Sequence, residues 1–146
     1  MVTFKIAGDC VAKQRPRMVN GHVFTPKQTK VYEAKVRDSL VAETRRKVFP
    51  IYGEGVPLQV NIVIVRGVPK SYTKSKREKC LKNEIRPTGK SDLDNYVKSI
   101  LDGMNGYAFA DDSAVCRIKA EKRYGEESYT LVQIFEIGED TDGGEK

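Results

Sequence analysis

Apolar and polar residues alternate in two stretches of the chain in the way that is typical of β-strands. "VTFKIAG", at positions 2–8, places Val2, Phe4 and Ile6 on one side. "PLQVNIVIVRG", at positions 57–67, has one fully apolar face and one partly apolar face. The first face comprises Leu58, Val60, Ile62 and Ile64, and the second includes Val63 and Val65. A strand with apolar residues on both faces is expected inside a sheet, so this stretch predicts a central strand.

Two later stretches alternate in the same way. "VCRIKAEKRYG", at positions 115–125, sets Cys116, Ile118 and Ala120 against charged neighbours. "YTLVQIFEI", at positions 129–137, follows it after a Gly-Glu-Glu turn. Two strands joined by so short a turn predict a β-hairpin.

Two helices are predicted, one in the first third of the chain and one near its middle. From about Gln28 to Val48 the chain lacks Gly and Pro, and apolar residues recur at the spacing of a helix that ends before Pro50. These apolar residues are Val31, Ala34, Val36, Leu40 and Val41. "YTKSKREKCLKN", at positions 72–83, predicts a short basic helix with Ser71 as its N-cap.

A third helix, from about Leu93 to Met104, completes the predicted fold. Its apolar face consists of Val97, Ile100, Leu101 and Met104, and Gly103 and Gly106 are expected to end it. The order strand, helix, strand, helix, helix, strand, strand predicts a single α+β domain over residues 1–137, with helices packed on a mixed or largely antiparallel sheet. The last nine residues, 138–146, are expected to form a disordered acidic tail.

The charge of the chain is distributed unevenly. The net charge is +6, but the tail holds four acidic residues and one lysine, so the first 137 residues carry +9. A body this basic favours a polyanionic partner, with nucleic acid first. The alternative is that the charge serves solubility alone.

Several classes of protein are excluded or disfavoured by what the sequence lacks. No apolar run reaches the roughly 18 residues of a membrane span, and the polar start "MVTFKIAGDC" has no signal-peptide pattern, so we expect a soluble, cytoplasmic protein. Cys10, Cys80 and Cys116 are widely spaced without a CxxC pair, which predicts neither a disulfide framework nor a zinc site. His22 is the single histidine, so a mechanism that depends on histidine is disfavoured.

Two pairs of aspartates flank the third helix. Asp92 and Asp94 lie at its start, where one of them can cap the first turn without any metal. Asp111 and Asp112 precede the next strand, and the helix with its Gly-rich loop can return the chain beside its starting point. Three or four carboxylates brought together would repel one another and raise one another's pKa values, so a hard divalent cation is their natural complement. Oxygen ligands without His or Cys favour Mg²⁺, with Mn²⁺ able to substitute.

Lys98 adds a cation to this acidic segment. It lies four residues after Asp94 and four before Asp102, with Asn95 also close on the helix surface. One interpretation is an ordinary Lys98–Asp102 surface pair worth a few tenths of a kcal/mol. The other places the ammonium beside a metal, where it offsets charge in a phosphoryl transition state. In a basic protein the second interpretation indicates hydrolysis of a nucleic-acid backbone.

Basic residues outside this segment are candidates for contacts with a DNA backbone. The short helix at positions 72–83 carries several of them, although a solvated surface explains its charge equally well. The candidates are Lys13, Arg15, Arg17, Lys74, Lys76, Arg77 and Lys90.

In this acidic segment the sequence resembles the RusA-type Holliday junction resolvases of bacteria and their phages. The matching residues are Asp92-Leu93-Asp94-Asn95 with Lys98, then the segment 102–106, then Asp111-Asp112 through to Val115. The segments "KQRPR", "FTPKQTKVYEAKVR" and "RPTGKSDLDN" also look like members of this family, so the resemblance covers nearly all of residues 3–137.

The resemblance implies a RusA-like fold and a homodimeric, Mg²⁺-dependent endodeoxyribonuclease that nicks opposing strands of a four-way DNA junction symmetrically, in DNA recombination and repair. It implies that Asp92, Asp94 and Asp112 are catalytic metal ligands, that Asp111 is a neighbouring acid, and that Lys98 is the catalytic lysine. One departure stands directly before the first aspartate. Some members have an arginine-rich run there, whereas this chain has Gly89-Lys90-Ser91, with Arg86 upstream.

Two other functions compete with this interpretation. A non-catalytic nucleic-acid-binding protein with a RusA-like fold would use the aspartates only as caps and ion pairs, and its binding would survive their loss. Phosphatases and glycosyltransferases also use pairs of aspartates, but neither explains Lys98 together with the distant Asp111-Asp112 pair.

Overall fold

The helices and strands follow the predicted order, with one short hairpin added before the first helix. The structure, a computed structural model, describes residues 1–14, 17–24, 26–89 and 92–138. The strands are β1 (Val2–Ala7), β2 (Arg17–Val19), β3 (His22–Phe24), β4 (Leu58–Gly67), β5 (Val115–Gly125) and β6 (Tyr129–Glu136). The helices are α1 (Lys27–Thr44), α2 (Lys74–Leu81) and α3 (Leu93–Met104), and a turn of 3₁₀-helix covers Asp112–Ala114. This arrangement confirms the predicted α+β class.

Four of the strands form one mixed sheet in the order β1-β6-β4-β5. β4 runs parallel to β5 and antiparallel to β6, and β6 runs antiparallel to β1. The prediction that "PLQVNIVIVRG" lies inside the sheet is therefore confirmed. The predicted hairpin of β5 and β6 is wrong, because β4 lies between these two strands.

Burial explains why β6 is an inner strand and β5 an edge strand. β6 buries four side chains, namely Thr130, Val132, Ile134 and Phe135, whereas no residue of β5 is buried. The connection between them crosses the end of β4, where the Gly67 N–H donates a hydrogen bond to Ser128 Oγ (2.9 Å). The Val68 N–H donates to the Gly125 carbonyl in the same place (3.1 Å). A polar strand destabilises a sheet least when it lies at the edge, because an edge strand does not have to be buried.

The hydrophobic core lies between the sheet and the two longer helices. α1 packs against α3 and β1, and α3 also contacts β5. The helices contribute Tyr32, Val36, Leu40, Ile100, Leu101 and Met104 to the core, and the sheet contributes Phe4, Ile6, Leu58, Val60, Ile62, Ile64, Val132 and Ile134. The predicted apolar faces of β1, β4 and α3 supply most of these residues. The core thus fixes α3, and with it the acidic segment, against α1.

The predicted details of α1 need two corrections. Its buried residues are Thr29, Tyr32, Val36 and Leu40, whereas Val31 is 59% exposed. Tyr32 takes the position on the buried stripe that the sequence analysis gave to Val31. The helix ends at Thr44 instead of reaching Val48, because Arg45 adopts a left-handed conformation (φ 55°) that closes the last turn.

The N-cap of α2 and the role of Gly103 in α3 also differ from the predictions. The N-cap of α2 is Thr73 and not Ser71, and its side-chain oxygen accepts a hydrogen bond from the Lys76 N–H (3.2 Å). Gly103 lies inside α3 and does not end it. The absence of a Cβ there allows α1 to approach closely, since an added Cβ would lie 2.7 Å from the Cβ of Val36.

The added hairpin, β2 and β3, was not predicted. Its two-residue turn is Asn20-Gly21, and both residues have positive φ, 50° and 78°. An Asn-Gly pair flanked by apolar residues is the usual sequence signal for such a turn and is present in "MVNGHVF". His22 lies in β3 and is exposed.

Three further observations concern the remaining predictions about the chain. Within the described ranges, no helix is long and apolar enough to cross a membrane. Cys10, Cys80 and Cys116 are free thiols. Of the predicted tail at 138–146, all but Gly138 lies outside the described residues.

Candidate functional site

The start of α3 presents two carboxylates to solvent. Asp92 occupies the N-cap position, but its side chain makes no capping hydrogen bond; its backbone carbonyl accepts instead from the Asn95 N–H (3.1 Å). Asp94 Oδ1 accepts from the Asn95 N–H (3.0 Å). Among the described residues neither side chain forms an ion pair, and both are exposed. Capping therefore does not account for Asp92, and both carboxylates face solvent, where a cation can reach them.

Lys98 lies on α3 and contacts the turn before β5. Its Nζ lies 3.1 Å from Asp102 Oδ1 and 3.5 Å from Asp112 Oδ2. The hydrogen bond to Asp102 raises the pKa of Lys98 above its ordinary value, and Asp112 adds to the effect. The ion pair of the first interpretation is thus present, and the role beside a metal stays a prediction. Lys98 pairs with Asp102 along the helix, and it also contacts the second acidic pair, which the loop after α3 returns to this helix.

Asp102 is shared between two lysines. Its Oδ2 lies 3.0 Å from Lys13 Nζ, and the same ammonium lies 2.7 Å from Glu33 Oε2. Burial alone would lower the pKa of Lys13, but the hydrogen bonds to Glu33 and Asp102 outweigh it and raise the pKa. Lys13, which the sequence analysis counted as a DNA contact, therefore has its charge balanced by two carboxylates of the protein.

Glu33 is the residue of this group that the sequence analysis missed. It lies on α1, 20 positions from Lys13, in a stretch whose spacing predicts only a helix. No local pattern marks such a partner, because the contact forms only when α1 packs against α3. The signal that was available is weaker: an acidic residue within the segment "FTPKQTKVYEAKVR" that resembles the family.

Asp111 and Asp112 make different contacts although they are adjacent. Asp112 contacts Lys98, whereas Asp111 Oδ2 accepts a hydrogen bond from the Ser113 N–H (3.1 Å). Hydrogen bonds with Ser113 hold the pKa of Asp111 below its ordinary value. Asp111 also lines a separate cavity of about 430 Å³ next to residues 53–57. Only Asp112 of this pair contacts the lysine of α3.

The acidic side chains of this site offer the type of ligand atom that a hard divalent ion prefers. The acidic side chains offer carboxylate oxygens only, which is the chemistry that Mg²⁺ and Mn²⁺ prefer. Within the described chain, however, no three Asp, Glu, His or Cys side chains stand together as a ready-made set of metal ligands. The predicted convergence of three or four carboxylates is therefore not present there. The contacts bring Asp102 and Asp112 to the Lys98 ammonium, which neutralises part of their charge.

A polar cleft adjoins the exposed carboxylate of Asp92. It has a volume of about 520 Å³ and is lined by residues of the loop after β1, by the end of β4 and by the first turn of α3. Its polar and aromatic lining includes Asp92, Asn95, Tyr96, Lys13, Gln14 and Arg66. A cavity of this size suits a group as large as a nucleotide.

The basic candidates on α2 are displayed on its surface. Lys74 and Lys76 are exposed, and Lys76 Nζ lies 4.0 Å above the ring of Tyr72. Arg77 Nη2 lies 2.7 Å from Glu126 Oε2, so its charge is partly balanced. Arg15 and Lys90 lie outside the described residues, and for Arg17 only the backbone in β2 is described.

Arg86 anchors the segment that leads to Asp92. Its Nη1 donates hydrogen bonds to Glu121 Oε2 (3.0 Å) and to the Lys122 carbonyl (3.3 Å) on β5. Arg86 is the arginine nearest to the position where some resolvases carry an arginine-rich run. Its guanidinium here holds the chain to the sheet edge.

A basic α+β domain with exposed aspartates and a lysine at the start of one helix is the arrangement expected of the resolvase family. The chain matches the family described as Endodeoxyribonuclease RusA over residues 7–135, and it belongs to that family. It is also 37% identical over 142 residues to "Uncharacterized protein YqaN" of Bacillus subtilis (strain 168), a match that covers 93% of this chain and 96% of that protein. The resemblance inferred from the sequence is therefore confirmed, and with it endodeoxyribonuclease as the class of activity.

Family membership also sets the broad kind of substrate and cofactor. RusA-type nucleases act on branched DNA junctions and generally depend on a divalent metal. The activity of the YqaN relative is not described by its name, so it adds no substrate.

Proposed function

We propose that this protein is a Holliday junction resolvase that cuts four-way DNA junctions by Mg²⁺-dependent, symmetric nicking in DNA recombination and repair. The observation that carries this proposal is the contact of Lys98 with Asp112 (3.5 Å). It joins the two halves of the acidic segment, α3 and the turn before β5, at one place on the surface. A cation and carboxylates from both halves suit phosphodiester hydrolysis, because carboxylates can hold a metal ion and a nearby cation stabilises negative charge in the transition state.

Asp92, Asp94 and Asp112 are the residues that would hold Mg²⁺ or Mn²⁺, with Asp111 as a neighbouring acid. When bound, the ion supplies Lewis-acid activation of the phosphodiester. Two of these carboxylates support the assignment by their exposure, since Asp92 and Asp94 form no ion pair within the described chain.

Lys98 would act on the scissile phosphate with its ammonium group. Its side chain is 53% exposed, so it reaches solvent while Asp102 holds it from the protein side. A fixed ammonium next to the reacting group stabilises negative charge that develops on the phosphoryl oxygens. A lysine is protonated at neutral pH, as this role requires, and the hydrogen bond to Asp102 raises the pKa of Lys98 further.

The DNA backbone would approach from the side of α2 and of the cleft beside Asp92. Lys74, Lys76 and Arg77 on α2, with Arg15, Arg17 and Lys90, are the proposed backbone contacts. Phosphate contacts of this kind fix the position of the duplex without reading its sequence. A homodimer would place two such sites on one junction and so couple the two nicks.

The test is cleavage of a labelled synthetic four-way junction, with a linear duplex of the same sequence as control, in Mg²⁺ or in EDTA. We expect paired symmetric nicks in the junction alone, and only with the metal. Junction binding without scission, in Mg²⁺ and Mn²⁺ and across several junction sequences, would instead indicate a binding protein that keeps the fold without the chemistry.

Two substitutions assign the site. Asp94→Asn should abolish cleavage while junction binding is kept or strengthened, since it removes a negative charge near phosphates. Lys98→Ala should slow the single-turnover rate with little change in affinity. Asp38→Asn, at an exposed aspartate of α1 that pairs with Arg37 (3.3 Å), is the matched control and should cleave like the wild type. Full cleavage by Asp94→Asn would refute its assignment.

A further inference from the structure

Five charged side chains of alternating sign form one connected row that includes the proposed catalytic lysine. In order they are Glu33, Lys13, Asp102, Lys98 and Asp112. The successive nitrogen–oxygen distances are 2.7, 3.0, 3.1 and 3.5 Å. The row runs from α1 through the loop after β1 to α3 and then to the turn before β5. It therefore connects elements that are distant in sequence.

The inner end of this row is the more enclosed and the better fixed. The side chains of Lys13, Glu33 and Asp102 are 22%, 22% and 16% exposed, whereas that of Lys98 is 53% exposed. The loop that carries Lys13 is tied to α3, because the Lys13 N–H donates to the Asn95 carbonyl (2.9 Å) and Ser99 Oγ donates to the Val11 carbonyl (2.6 Å). Partly enclosed ion pairs with fixed backbones hold their geometry better than exposed pairs do.

We propose that Lys13 and Asp102 are positioning residues for Lys98, a role that rests on the proposed function. The two carboxylate oxygens of Asp102 contact different lysines. Oδ2 pairs with the Lys13 ammonium, and Oδ1 pairs with the Lys98 ammonium. Lys13 thus fixes the rotation of the carboxylate, and the carboxylate in turn fixes the ammonium of Lys98 at its contact with Asp112.

Removal of Lys13 has a definite electrostatic consequence. Glu33 and Asp102 both contact its ammonium, so without it two partly buried carboxylates lose their shared counter-charge. Lys98 is then the cation left in contact with Asp102, and it is drawn inward, away from Asp112. The expected effect falls on the chemical step and not on binding, because Lys13 does not need to touch the DNA.

This role differs measurably from the one that the sequence suggested for Lys13. Removal of a lysine that contacts a phosphate lowers the affinity for DNA. It also reduces the magnitude of the slope of log K against log[salt] by about 1. A positioning lysine leaves both unchanged. Supporting groups around a reactive centre typically contribute about 10–100-fold to activity.

The experiment compares Lys13→Met, Lys13→Arg and Asp102→Asn with the wild type, and uses Lys47→Met, at an exposed lysine beyond α1, as the control. Single-turnover cleavage of a four-way junction at saturating protein gives the rate, and titration at several salt concentrations gives the affinity and its salt slope. We expect Lys13→Met and Asp102→Asn to be at least about 10-fold slower, with unchanged affinity and salt slope. Lys13→Arg should recover part of the rate, and Lys47→Met should match the wild type.

A double-mutant cycle tests whether Lys13 acts through Lys98. In a Lys98→Ala background, Lys13→Met should have no further effect on the rate, because the group that it positions is gone. Independent, multiplicative losses would overturn the proposal. So would a wild-type rate for Lys13→Met, or a loss of affinity with a lower salt slope at an unchanged saturating rate.

The outcomes also separate this inference from the proposed function. A wild-type protein that cuts no junction with Mg²⁺ or Mn²⁺ overturns the proposed function and this inference with it. A wild type that cuts, together with a Lys13→Met variant that cuts equally fast, overturns the inference alone. If Lys13→Met does not fold, as judged by thermal unfolding, Asp102→Asn and the Lys13→Arg variant decide the question in the same assay.

Discussion

Gly103 lies at a close contact between α1 and α3. An added Cβ would lie 2.7 Å from the Cβ of Val36 and 2.9 Å from the Glu33 carbonyl oxygen, so α1 must move. We expect Gly103→Ala to lower the free energy of unfolding by about 1–3 kcal/mol, the usual cost of overpacking a core. Thermal or urea unfolding measures it.

Gly53→Ala is the matched control for this substitution. An added Cβ at Gly53 meets nothing within 4 Å, and its φ lies outside the left-handed region. We therefore expect no loss, and a gain of up to about 1 kcal/mol from the smaller entropy of the unfolded chain. Equal stability of the two variants would contradict the close packing of α1 on α3.

The same contact shows how far single residues could be predicted. The sequence predicts Lys98 and the aspartates as site residues because these residue types recur at fixed spacing within 25 positions, and this assignment stays a prediction. The sequence could not identify Glu33 as a partner of Lys13, nor Lys13 as a partner of Asp102, since both contacts depend on how α1 and the loop after β1 pack against α3. Gly103 was interpreted as a helix end for the same reason, because its role depends on Val36 of another helix.

Among the elements, α2 offers a direct test of its first turn. The Thr73 side chain accepts a hydrogen bond from the Lys76 N–H (3.2 Å), whereas Ser71 lies two residues before the cap. We expect Thr73→Ala to lower the free energy of unfolding by about 1 kcal/mol, the typical cost of losing an N-cap. Ser71→Ala should be neutral in the same thermal unfolding experiment. A larger loss of stability in Ser71→Ala than in Thr73→Ala would instead identify Ser71 as the N-cap.

The segment between α2 and α3 is held to β5 by a contact that depends on pH. The hydrogen bond from Arg86 is the main cause that lowers the pKa of Glu121, and Arg123 adds to it. A carboxyl group whose pKa is lower in the folded state stabilises the fold above its unfolded pKa, about 4.3 for Glu. This stabilisation is lost as the pH falls through the lower folded pKa.

Arg86→Met should therefore destabilise the protein at neutral pH and have less effect in acid. Both side chains are well exposed, 47% and 36%, so we expect a loss of at most about 1 kcal/mol at pH 7. The difference in Tm between the wild type and the variant should shrink as the pH falls through the lowered pKa of folded Glu121, because the carboxyl group is then protonated in both states. In a Glu121→Gln background Arg86→Met should show no such pH dependence. A difference that grows in acid would contradict this account.

Elements were predicted best where their own sequence decides their burial. β4 has apolar residues on both faces and lies inside the sheet, and α3 begins and ends at the predicted residues. The order of the strands was harder to predict. Adjacency along the chain favoured a hairpin of β5 and β6, but β6 lies between β1 and β4 and is more buried than β5.

For the whole molecule, the distribution of charge predicts how DNA binding depends on salt. The first 137 residues carry +9, and each phosphate that a cation neutralises adds about 0.9 to the magnitude of the salt slope. Ion pairs within the protein reduce the number of cationic side chains that are available to neutralise DNA phosphates. Lys13 is balanced by Glu33 and Asp102, and Arg77 by Glu126.

Lys74→Gln and Lys76→Gln should consequently weaken junction binding more than Arg77→Gln does. Both lysines are exposed and have no ion pair with a described residue, so each should reduce the salt slope by about 1 and weaken binding to all junction sequences alike. Arg77→Gln should reduce the slope by less, because Glu126 already offsets the charge of Arg77. Titration of a catalytically inactive Asp94→Asn background at several salt concentrations measures all three. Unchanged slopes for both lysine variants would mean that the charge of α2 serves solubility and that the junction binds another face.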